Sequence, residues 1–92
     1  MELTEEDLAR LEEYAGLFLS VDEIAILLSV NVKDLRIELK RDNSEIGKRY
    51  FHAKLMSQLE IRRQVINFAK KGSPQAENSV REYMKKQVLS EK

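Results

Sequence analysis

Four helix-start signals recur along this chain, and they leave little room for anything but a helical fold. Thr4 followed by Asp7 resembles a capping box with Asp in place of Glu, and Ser20 followed by Glu23 is the full pattern. Asn31 with Asp34 opens a third segment, and Ser73-Pro74 reads as a cap followed by a first helical residue. In each, a short polar side chain can accept a hydrogen bond from an otherwise unpaired N–H in the first helical turn. Apolar residues then repeat at helical spacing. Leu8, Leu11 and Ala15 predict a helix over 5–15 that Gly16 stops, and Val21, Ile24, Ala25 and Leu28 predict one over 21–28. Leu35 and Leu39 predict 32–41, and Ala76, Val80, Tyr83, Met84 and Val88 predict 74–88.

Between the polar break Asp42-Asn43-Ser44 and Lys71, only Gly47 opposes a helix, and it sits in the first turn. Gly72 ends this fourth segment, and Lys70 and Lys71 suit the negative end of its dipole. A helix of about 27 residues spans roughly 40 Å, against roughly 30 Å for the diameter of a compact chain of this size. Its pattern is two-sided. Ile46, Tyr50, Ala53, Ile61 and Phe68 fall on one face, and Leu55, Leu59 and Ile66 fall nearly opposite. Two apolar stripes imply packing on both sides, with helix five of the same chain or a second subunit covering one of them.

Three glycines and one proline give too little punctuation for many short strands, so the fold class expected is all-α. No cysteine is present, which excludes disulfides and thiolate metal sites and suits a reducing compartment. His52 is the one histidine, so a histidine-based metal cluster is excluded as well. No apolar run approaches the roughly 20 residues of a membrane span. The acidic start MELTEEDLAR lacks the order of a signal peptide. The expectation is a soluble, cytoplasmic protein.

Sixteen bases balance sixteen acids, but not evenly along the chain. Residues 1–30 hold eight acids and only Arg10, while residues 31–92 hold fifteen bases and eight acids. The basic part suits a polyanion. Equally, the two parts can neutralise each other in the fold.

Residues 23–40, EIAILLSVNVKDLRIELK, resemble a helix-turn-helix. Two short helices crossing steeply need a small residue where they approach, which Ala25 supplies. Ile24, Leu28, Val30, Leu35 and Leu39 would hold them together, and Ser29-Val30-Asn31 forms the turn and the next cap. The departure is Ser29, where the motif usually has a left-handed glycine; serine there costs about 1 kcal/mol. In this reading helix three enters the major groove. With Leu35 and Leu39 inward, Val32, Lys33, Arg36, Ile37 and Lys40 face outward. Arg36 can donate two parallel bonds to a guanine edge. Lys33, Lys40 and Arg41 suit phosphates, and Asn31 suits a phosphate or a base. Asp34 and Glu38 are expected on the side away from this stripe.

The resemblance widens with the order of parts. An acidic first helix leads into Gly16-Leu-Phe-Leu-Ser-Val-Asp-Glu-Ile-Ala25 and the hairpin. A long helix with Tyr50 and Leu59-Glu-Ile-Arg-Arg63 follows, then Phe68-Ala-Lys-Lys-Gly-Ser-Pro-Gln-Ala76. This looks like the small terminase subunits of tailed phages and prophages. The resemblance implies a helix-turn-helix DNA-binding region over 1–42 and a long helix plus C-terminal helix over 43–92 for packing and oligomerisation. It also implies double-stranded DNA as ligand, a homo-oligomer with Tyr50, Leu55, Leu59, Ile66 and Phe68 at helix or subunit surfaces, and a large motor subunit as a further partner. One subunit's acidic first helix would meet its neighbour's basic region.

Other chemistry has little support. Gly16, Gly47 and Gly72 are far apart and form no phosphate loop. His52 has no acid partner nearby in sequence, and Glu5, Glu6, Asp7, Glu12 and Glu13 read as a solvated helix face rather than a metal site. No enzyme activity, cofactor or membrane partner is expected. The alternatives to a packaging protein are a non-enzymatic protein-interaction module built on the same hairpin, and a transcription regulator, which would usually be a dimer.

Overall fold

A computed structural model describes all residues, 1–92. It contains five helices and no strand: α1 (Glu5–Gly16), α2 (Val21–Leu28), α3 (Val32–Lys40), α4 (Glu45–Lys70) and α5 (Pro74–Ser90). No helix is long and apolar enough to cross a membrane. The chain divides into two compact units, Met1–Gln58 and Leu59–Lys92, and the division falls within α4.

The start signals act as their chemistry requires. Thr4 Oγ1 accepts from Asp7 N at 3.1 Å while the Asp7 carboxylate accepts from Thr4 N at 3.4 Å. Ser20 and Glu23 exchange the same bonds at 3.1 and 2.9 Å. Asn31 Oδ1 accepts from both Lys33 N and Asp34 N, and Ser73 Oγ accepts from Ala76 N.

Three helices end in one way, with a left-handed residue whose successor's N–H reaches back five residues. These pairs are Leu19 N to Tyr14 O at 3.2 Å, Val30 N to Ala25 O at 3.0 Å and Ser73 N to Phe68 O at 3.1 Å. The left-handed residues are Phe18 (φ 62°), Ser29 (φ 58°) and Gly72 (φ 96°). Gly72 was expected in this role. Gly16 was expected to stop α1, but it is the last residue of the helix, and Phe18 makes the turn. Gly16 has a different use. A Cβ there would lie 2.7 Å from Ser57 Oγ, so its absence lets α1 approach α4.

In the N-terminal unit, Leu8, Leu11 and Ala15 of α1 meet Ile24, Ala25 and Leu28 of α2, Leu35 of α3, and Ile46 and Tyr50 of α4. Leu11, Ile24 and Leu35 are wholly buried. The first half of α4 therefore belongs to this unit's core, beyond the division at 42/43 that the resemblance implies. Charge reinforces the packing. Arg49 of α4 donates through Nη1 to both Glu5 oxygens at 2.9 Å, and through Nε and Nη2 to Glu12 Oε1. Glu5 and Glu12 thus face a cation of their own chain instead of water alone. Arg10 donates to the Leu27 carbonyl at 2.7 Å, satisfying an end-of-helix acceptor of α2.

In the C-terminal unit, Ala76 is the one buried apolar residue. The Arg62 guanidinium lies 4.4 Å from the centre of the Tyr83 ring. Of the two stripes expected on α4, Ile46 and Tyr50 are buried, while Leu55, Leu59, Ile61, Ile66 and Phe68 are exposed in the single chain. On α5, Met84 and Val88 are exposed as well.

Candidate nucleic-acid interface

The surface formed by α2, its turn and α3 is built from backbone upward. Ser29 sits at φ 58°, ψ 42°, the left-handed conformation expected of this position despite its Cβ. The chain then extends through Asn31, whose side chain starts α3. Ala25 and Leu28 on one side and Leu35 on the other close the angle between the helices.

This arrangement turns Lys33, Arg36, Ile37 and Lys40 to solvent, together with Asp34. Ile37 is the most open large apolar residue of α3, at 66% exposure. Val32 does not join them. It precedes Leu35 by three positions and shares its side of the helix, so it packs against the core. Asn31 is exposed, but its Oδ1 is spent on two backbone N–H groups, leaving only the amide nitrogen to donate. Arg41 lies just past α3 in extended conformation, and its Nη2 and Nε donate to Glu38 Oε2 at 3.0 and 3.3 Å. It therefore does not continue the α3 stripe.

Two acids have roles that spacing alone does not reveal. Glu38 is 6% exposed. Besides Arg41, its Oε2 accepts from the Ser44 hydroxyl at 2.9 Å, and Ser44 Oγ in turn accepts from Gly47 N at 3.1 Å. The Ser44 hydroxyl bond, more than Arg41, holds the Glu38 carboxyl below the usual carboxylate range, against the opposing effect of burial. A carboxylate of α3 thereby fixes the start of α4.

Asp22, in the first turn of α2, accepts from Arg36 Nη2 at 2.6 Å. The faint signal for it is that Glu23 is claimed by the Ser20 cap, which leaves Asp22 as the free acid of that turn. The Glu23 carboxyl lies below its ordinary range, chiefly because the Ser20 backbone N–H donates to it.

The N-terminal unit contains eight Lys and Arg against twelve Asp and Glu. Attraction of an anion to this unit must therefore come from the local stripe on α3, not from net charge. No group of three or more His, Asp or Glu residues is placed to hold a metal ion. Comparison with known proteins finds no family model, no curated protein and no solved structure that matches the chain.

Proposed function

We propose that the chain is a DNA-binding protein in which α2, the Ser29 turn and α3 act as a helix-turn-helix, with α3 as the major-groove helix. The observation that carries the reading is the left-handed Ser29 between two helices joined by Ala25 and Leu35, with Lys33, Arg36 and Lys40 outward. Lys33 and Lys40 serve phosphates, and Arg36 serves a base edge. Assembly into a packaging-type homo-oligomer, with a motor subunit as partner, extends the proposal. The resemblance to small terminase subunits supports it, as does the apolar surface that Phe68, Met84, Val88 and Leu89 leave open in one chain.

The test is duplex binding at several salt concentrations. Affinity should fall with a log–log slope of about −0.9 for each phosphate neutralised. The triple substitution Lys33→Glu, Arg36→Glu and Lys40→Glu should abolish binding with helical content intact. Equal binding by parent and triple variant removes α3 as the docking face. A protein-interaction module is the second reading. Ile26 and Ile37, at 76% and 66% exposure, favour it, because apolar side chains so open suit a protein surface.

A further inference from the structure

We propose that Asp22 is a positioning residue for base recognition: it holds one edge of the Arg36 guanidinium, so that the remaining donors aim at a guanine instead of a phosphate. The inference rests on the DNA-binding reading of α3 and names what makes that binding selective.

The pair links the first turn of α2 to the middle of α3 through Asp22 Oδ1 and Arg36 Nη2, 2.6 Å apart. Its side chains are 64% and 51% exposed. An ion pair so open to water adds little to folding. Its consequence lies in where it points the guanidinium. Arginine carries five N–H donors in a rigid plane. Asp22 occupies one of them, and Arg36 Nε and Nη1 have no protein partner. The second Nη2 hydrogen remains free beside an unpartnered neighbour, Nε or Nη1, and such a two-donor fork matches guanine O6 and N7.

Without a tether, a long cationic side chain beside duplex DNA meets phosphates, which are numerous and carry no sequence information. A carboxylate at Arg36 opposes that outcome twice. It restrains the planar group, and its own charge repels the phosphate backbone. Glu23 cannot substitute, because its carboxylate is bound to Ser20 N at 2.9 Å.

Selection from a randomised duplex pool, with affinity for mixed-sequence duplex measured alongside, tests this. The parent should prefer guanine at one position of its site. Asp22→Ala should lose that preference by about tenfold or more, while its affinity for mixed-sequence duplex holds or rises. Asp22→Asn, whose amide oxygen still accepts, should retain part of the preference. Arg36→Lys keeps the charge but not the fork, and should lose the same preference, with Asp22→Ala adding nothing further in the double variant. A merely structural role for Asp22 would not move base preference while sparing general affinity. The inference is overturned if Asp22→Ala keeps the parent's preference, or if the parent binds duplex with no preference at all. Failure of the parent to bind duplex at low salt is a separate result, and it overturns the DNA-binding reading together with this one.

Discussion

Replacing Ser29 by glycine should stabilise the protein, and the size of the effect follows from the turn. Ser29 holds φ 58°, ψ 42° with an exposed side chain. An L-residue in that conformation bears a penalty of roughly 1–2 kcal/mol that glycine escapes. Glycine loses about 0.5–1 kcal/mol more backbone entropy on folding. Near the middle of both ranges the net gain is about 0.5–1 kcal/mol. With an unfolding entropy of roughly 2.1 cal/mol/K per residue over 92 residues, the melting temperature should rise by about 3–5 °C. Thermal melts followed by far-ultraviolet circular dichroism provide the measurement. Ser29→Ala is the reference, since it keeps the Cβ and removes only the hydroxyl. Ser29 N to Ile26 O and Val30 N to Ala25 O are main-chain bonds that both variants preserve. Glycine melting no higher than alanine at this position would refute the left-handed turn, and with it the angle between α2 and α3.

Other outcomes are open to the same kind of measurement. Gly16→Ala brings a methyl to 2.7 Å from Ser57 Oγ, which must turn aside, and this offsets the roughly 0.5–1 kcal/mol that alanine gains over glycine in a helix; Gly16→Ala should therefore raise the melting temperature more in a Ser57→Ala background than in the parent, and equal shifts in both would contradict the close approach of α1 and α4. The Glu38 carboxyl lies below its unfolded value of about 4.3, so its contribution is present above that pH and is lost as pH falls through the folded value. Glu38→Gln should therefore melt lower than the parent at pH 7 and show a smaller loss between about pH 5 and the acid limit; parallel pH profiles would show that the carboxylate is not linked to folding.

What the sequence discloses here is local, and what it conceals is long-range. The cap signals at Thr4, Ser20, Asn31 and Ser73 each concern atoms within three residues, and all four side chains accept as expected. The Ser29 turn is legible for the same reason. Gly16 looked like a helix stop because its actual neighbour, Ser57, is 41 positions away. The convergence of Glu5 and Glu12 on Arg49 has the same cause: one helix's acids appear solvated until another helix brings a base. Within the candidate site, the exposure of Lys33, Arg36, Ile37 and Lys40 followed from the inward placement of Leu35. Val32 is the exception to the outward set, because its spacing of three from Leu35 already puts it on the inward side of the helix. Asp22 and Ser44 escaped because each acts across a turn on a partner in the neighbouring helix, where periodicity within one helix carries no information.

The contact between Glu38 and Ser44 makes the short link from α3 to α4 a gauge of length. Exposed connections ordinarily accept an added or deleted residue without harm. Here the same hydroxyl serves a carboxylate behind it and a backbone amide ahead of it, at 2.9 and 3.1 Å. An insertion between Arg41 and Ser44 would separate those two duties, take the hydroxyl donor from the buried Glu38 carboxylate and free the first turn of the long helix to unwind. Natural variants of this chain should accordingly vary in the tail of α5 well before they vary in the spacing of these few polar residues.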